Sequence, residues 1–143
     1  SIRQIAREAP DDIRSLADLA KILTEIGEYQ LQAGKADKAI VTLKESIYSW
    51  GLVAALADSE IIEDLGSTRE TIRSYGNLIE AYFTLEQLAD AEQSIADAIE
   101  MTGQAASKWP RNERLMSLVD RVQKFKYDLQ RRKNEKRRQS SGD

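Results

Sequence analysis

Glu60, Glu63 and Asp64 cluster within about one helical turn, and closely spaced carboxylates are what general acid–base chemistry uses. In this chain they read as the polar surface of a helix. The sequence contains no Cys and no His. That removes disulfides, thiolate nucleophiles, the usual zinc ligands and the side chain most used for proton transfer near neutral pH. No nucleophile–base pair, phosphate-cradling loop or metal-ligand spacing occurs. The residues point away from an enzyme, and they imply no cofactor and no metal.

Recognition is the chemistry that remains. Residues 1–110 hold 10 Lys and Arg against 19 Asp and Glu, whereas residues 111–143 hold 11 against 5. An acidic body thus precedes a basic tail. The tail concentrates its charge in Arg131, Arg132, Lys133, Lys136, Arg137 and Arg138, a candidate polyanion-binding cluster for nucleic acid or an acidic membrane surface. No aromatic side chain interleaves it. The competing reading is a frayed, solvated helix end with cations at its negative pole, which ranks nucleic acid below protein as a partner. The tail has two further options, to fold back on the acidic body or to serve as a partner's docking site.

The elements that must position these residues are helices. Two Pro and seven Gly in 143 residues are few breakers, and no alternating β-branched run suggests a strand. Ser1–Glu8 is a short amphipathic stretch, the end of a preceding helix or a turn or two of its own. Pro10-Asp11-Asp12 starts a helix, since Pro loses no N–H there and the acids favour the positive pole. Ile13, Leu16, Ala17, Ala20, Leu23 and Ile26 continue it at helical spacing to about Ala33. A second helix opens near Ala36. It either runs through Gly51 as one long helix or breaks at Ser49–Gly51 before a further segment, 51–65, that Leu65-Gly66 ends. Ser67 and Glu70 then have capping-box spacing, opening a helix to about Leu85. Another spans about Leu88–Ser107, and a last one starts near Arg111 after Trp109-Pro110. Its apolar residues Leu115, Leu118, Val122, Phe125 and Leu129 suit packing on the preceding pair better than a coiled-coil seam.

Within these elements a small-residue pattern recurs. Gly27 and Ala39 are small where two antiparallel helices must approach, and Gly34 falls where a helix ends in a left-handed residue. Leu23, Ile26, Gly27, Ala39, Leu43 and Ser46, then Tyr75, Leu78, Tyr82, Ala91, Ile95 and Ala98, resemble two units of the tetratricopeptide repeat, a helix pair of about 34 residues. Gln30 and Ile79 depart from its pattern, and the step from Ile26 to Leu78 is longer than its period. Glu63-Asp64-Leu65-Gly66 followed by Ser74-Tyr75-Gly76-Asn77-Leu78 looks like the longer repeats of signalling scaffolds and bacterial regulators. The resemblance implies an all-α solenoid: units at about 11–50 and 67–107, an extra helical segment at 51–65, a capping helix from 111 within a domain of residues 1–130, and the basic tail 131–143.

By position, the resemblance also implies a concave groove lined by the first helix of each unit. Lys21, Thr24, Glu25, Glu28, Leu31 and Gln32 would line it in the first unit, and Arg73, Gly76, Asn77, Glu80, Phe83 and Thr84 in the second. Leu31 and Phe83 favour a binding patch over an ordinary solvated face. Asn77 matches an Asn that chaperone-binding members use on a peptide backbone or terminal carboxylate. Thr24 and Glu28 stand where that clamp needs Lys and Asn, so chaperone C-termini are not expected. An acidic groove with apolar anchors suits a protein or peptide partner carrying Lys or Arg on an amphipathic segment. The expected function is a non-catalytic scaffold or adaptor, with two alternatives: a regulatory module of a larger signalling protein, or a nucleic-acid-associated protein. No apolar run of membrane-spanning length and no signal peptide stand out, so a cytoplasmic, soluble protein is expected. The opening Ser1 suggests a processed or excised piece.

Overall fold

A computed structural model describes residues 10–57 and 64–141. They form five helices: α1 (Pro10–Gln32), α2 (Ala36–Leu56), α3 (Leu65–Thr84), α4 (Leu88–Lys108) and α5 (Glu113–Ser141). No strand occurs among the described residues, so the all-α expectation holds. Each helix packs on the next. In addition α1 touches α3 and α3 touches α5, whereas α2 and α4 make no contact. The odd-numbered helices therefore share one side of the molecule, and α2 and α4 back them.

Small residues set the first helix pair. A β-carbon on Gly27 would stand 2.5 Å from Leu43 Cδ2 and 2.6 Å from its Cγ, so only glycine lets α1 approach the buried Leu43 of α2 this closely. Gly34 ends α1 and turns the chain into α2 at φ 77°, with Lys35 N–H donating to Gln30 O (2.9 Å) and Gly34 N–H to Leu31 O (3.1 Å). The α3–α4 turn repeats this geometry 52 positions later. Glu86 takes φ 55°, Gln87 N–H donates to Tyr82 O (2.9 Å), and Glu86 N–H to Phe83 O (3.0 Å). The core joins Ala39 and Leu43 of α2 to Ile72, Leu78, Ile79 and Tyr82 of α3, Ala91, Ile95 and Ala98 of α4, and Leu115 and Val122 of α5.

A polar knot lies inside this packing. Thr24 of α1, Ser46 of α2 and Ser74 of α3 are fully buried. Thr24 Oγ1 is 2.6 Å from Ser46 Oγ and 2.9 Å from Ser74 Oγ, and the two serine oxygens are 3.2 Å apart. Ala20 O lies 3.1 Å from Thr24 Oγ1 and 3.0 Å from Ser46 Oγ, and Glu70 O is 3.0 Å from Ser74 Oγ. Each hydroxyl has one proton and two lone pairs, so all three can be satisfied without water. Thr24 thus belongs to the core and not to a groove.

The structure corrects several boundaries. Leu65 and Gly66 open α3 instead of ending a helix, and the cap is Asp64, not Ser67. The Asp64 carboxylate accepts from both Ser67 N–H (2.9 Å) and Ser67 Oγ (2.6 Å). The hydroxyl contact, ahead of the N–H one, holds the Asp64 carboxyl below its ordinary pKa. A carboxylate that accepts two hydrogen bonds at a helix's positive pole outcompetes a hydroxyl as cap. Glu70, released from any capping box, lies 3.5 Å from Arg73. Helix α2 runs unbroken through Gly51 to Leu56. Residues 51–56 of the expected extra segment belong to α2, and its middle, residues 58–63 with Glu60 and Glu63, lies outside the described residues, as does Ser1–Glu8. Asn112 Oδ1 accepts from Leu115 N–H at 2.9 Å at the head of α5, and α5 continues as helix to Ser141 where a frayed tail from 131 was expected.

By length and composition alone, α2 is apolar enough to cross a membrane, against the expectation that no apolar run reaches that length. The sign is weak, because Ala39, Leu43, Ser46 and Trp50 are buried in the helical packing.

Candidate partner-binding faces

The twelve residues expected to line a partner groove do not form one open surface: Thr24, Gly76, Asn77 and Phe83 are buried, while Gln32 and Thr84 are exposed at the helix ends. On α1, Lys21 and Glu25 are exposed, Glu28 is half-buried, and Leu31 leans on the core. On α3, Arg73 forms an ion pair with Glu28 and so ties α3 to α1. Asn77 and Phe83 are buried, only 5% of each remaining exposed. What covers them is α5. Asn77 Oδ1 accepts from Arg121 Nη2 (3.0 Å), which also lies 3.2 Å from Glu80 Oε2. The Phe83 ring meets Phe125 edge-on at 5.9 Å, and the Arg132 guanidinium stands 4.6 Å from the Phe83 ring centre, a cation–π contact. The expected apolar anchor of the second unit is therefore already occupied by the chain's own last helix.

Gly76 explains how α5 comes so near. A β-carbon there would lie 2.8 Å from Arg121 Nη1. Glycine leaves the guanidinium room beside the α3 backbone, between Asn77, Glu80 and the Phe125 ring 5.4 Å away. The pair Glu28–Arg73 joins α1 to α3 as Glu80–Arg121 joins α3 to α5, and Glu28 and Glu80 are again 52 positions apart.

The six tail cations divide. Lys133 reaches Glu92 of α4 at 2.7 Å, Arg131 pairs with Asp128 at 3.2 Å, and Arg132 covers Phe83. Lys136, Arg137 and Arg138 are exposed and take part in no ion pair among the described residues. A cleft of about 150 Å³ separates the α3–α4 turn from this part of α5. Glu86 and Glu135 line it with Arg132 and Lys136, so its charges balance within the protein.

The sequence reading missed a different feature. Leu19, Ile22, Ile26 and Tyr29 are 47%, 50%, 43% and 72% exposed. Ile26, which carries part of the resemblance to the repeat pattern, lies on the outer face. The available signal was a second apolar stripe on α1, at spacing 3-4-3, beside the one that carries Ala20, Gly27 and Leu31.

The fold and these faces define an all-helical protein whose inner surfaces are closed mainly by its own helices. No protein-family model, curated protein or solved structure matches this chain.

Proposed function

We propose that this chain is a non-catalytic protein-interaction module, a short α-solenoid of two tetratricopeptide-like hairpins capped by α5, that holds a peptide or helix of a partner protein. The observation that carries the reading is the recurrence of one geometry at a 52-residue step: the same left-handed turn at Gly34 and Glu86, and the same Glu–Arg tie between successive odd-numbered helices. Repetition of a helix pair with side-by-side first helices is the plan of binding solenoids. Lys21 and Glu25, with Glu28, Arg73 and Glu80 beside them, give the shared side of α1 and α3 its polar character. Leu31, Asn77 and Phe83 act in packing instead of contacting a partner. A peptide array probed with the wild-type chain and with Glu25→Lys/Glu80→Lys tests this. Peptides lost on charge reversal support the groove, and an unchanged pattern refutes it.

Charge on α5 favours a second reading, attachment to nucleic acid through Lys136, Arg137 and Arg138. It ranks lower because three of the six cations already serve internal contacts and the body is acidic. Binding that survives physiological salt in a mobility-shift titration would raise it above the first, since non-specific phosphate contacts weaken log-linearly with salt.

A further inference from the structure

Helices α1 and α3 hold equivalent places in the two hairpins, so their faces can be compared position by position. The equivalents of Leu19, Ile22, Ile26 and Tyr29 are Thr71, Ser74, Leu78 and Ala81, and all four are buried. They face the preceding helix pair, since Ser74 touches Ser46 of α2 and Thr24 of α1. On α1 the same face has nothing described in front of it and is more apolar than its counterpart. The other end of the stack differs. The outward residues of α5 are Asp120, Gln123, Lys124, Tyr127, Gln130 and Arg131, exposed and mostly polar, as a terminal helix needs. Among the described residues, then, the outer face of α5 is polar and that of α1 is apolar.

We propose that the outer face of α1 is a docking site for an amphipathic helix of a partner protein, seated against α1 as α2 is seated against α3, with Lys or Arg flanking its apolar stripe. This rests on the interaction-module reading and names a particular face and partner chemistry for it. The charge comes from the rim. On a helical wheel Asp18 and Glu25 border the stripe on one side and Asp12 lies on the other, while Arg14 and Lys21 stand further round. A second copy of α1 laid antiparallel would bring acid rim against acid rim, which disfavours a symmetric dimer. One helix face is small for an interface, so the complex is of the weak, reversible kind.

Two synthetic helical peptides test it, identical in their Leu/Ile stripe and flanked either by Lys or by Glu, followed by fluorescence anisotropy on the full chain. The Lys peptide is expected to bind and the Glu peptide to bind at least about tenfold more weakly. Ile22→Glu should weaken the Lys peptide about tenfold or more with an unchanged circular dichroism spectrum, because the residue is exposed. Asp18→Lys/Glu25→Lys should reverse the preference between peptides. Equal binding of both peptides, or binding insensitive to Ile22→Glu, overturns the site. If such binding is instead lost in Glu25→Lys/Glu80→Lys and kept in Asp18→Lys, the groove reading survives and the α1 face fails. Sedimentation showing a dimer that Ile22→Glu dissolves assigns the face to a second copy. Binding seen only after removal of residues 1–9 assigns it to the chain's own N-terminal segment. Either result overturns the proposal.

Discussion

Arg121 occupies the space that a side chain on Gly76 would need: a β-carbon there would lie 2.8 Å from its Nη1 and 3.1 Å from its Cζ. Through that contact α5 closes over Asn77 and Phe83. Gly76→Ala gains up to about 1 kcal/mol of helix propensity but displaces the guanidinium, and the two effects offset. Arg121→Met should cost about 1–3 kcal/mol in the wild-type background, from the lost charged hydrogen bond to a buried amide oxygen, and clearly less in Gly76→Ala. A urea double-mutant cycle measures the coupling. Additive effects would mean that the two residues do not communicate.

Two glycines on neighbouring helices should respond oppositely to the same change. Gly27→Ala places a methyl within 2.6 Å of Leu43 Cγ, in a site where Leu43 is fully buried, and overpacking there should cost about 1–3 kcal/mol. Gly51→Ala meets nothing within 4 Å and should stabilise α2 by about 1 kcal/mol. Denaturation midpoints moving in opposite directions are the expected result.

The turn residues offer the same kind of contrast. Glu86 holds a left-handed conformation that glycine adopts freely. Glu86→Gly should stabilise the chain by about 1 kcal/mol, and Gly34→Ala should destabilise it by about as much. A β-carbon at position 34 has no neighbour within 4 Å, so the cost is purely of the backbone. Thermal melts of both variants read this directly.

The cap at Asp64 is sensitive to acid. Its carboxyl titrates below the ordinary 3.8 in the folded chain, through the Ser67 hydroxyl and then the Ser67 N–H. A depressed carboxylate contributes stability that is present above the unfolded-state pKa and is lost as pH falls through the folded one. Asp64→Ala should therefore cost about 1 kcal/mol near pH 7, and the gap to wild type should begin to narrow below about pH 4, as the unfolded-state carboxyl protonates, and shrink further as pH falls through the lower folded-state pKa. Urea titrations at pH 7 and pH 3 make the comparison. A gap of equal size at both would remove Asp64 as the cap.

Much of the fold was legible in the residues because helix formation and close approach are local matters. Apolar spacing located five helices. Gly27 and Ala39 at a close helix approach and Gly34 at a chain reversal are small for reasons of volume and backbone angle that hold in any context. The α3 cap was misread because Asp64 and Ser67 both have the right chemistry, and the choice between them depends on which donors the carboxylate meets. The candidate groove was only half legible. Side chains at helical spacing share a face, but spacing on one helix does not say what lies opposite. Asn77 and Phe83 had the positions of partner contacts, and Arg121, Phe125 and Arg132, far along the chain, claimed them.

The sequence by itself determined an all-helical chain, its turns and its acidic-to-basic division, since propensity, small-residue spacing and charge are written residue by residue. Only the tertiary structure decided which stripe of α1 is covered. Both stripes are apolar at helical period, so either could have been the inner one. Gly27 settles the matter by admitting Leu43 on its own side, and Leu19, Ile22, Ile26 and Tyr29 are left facing outward.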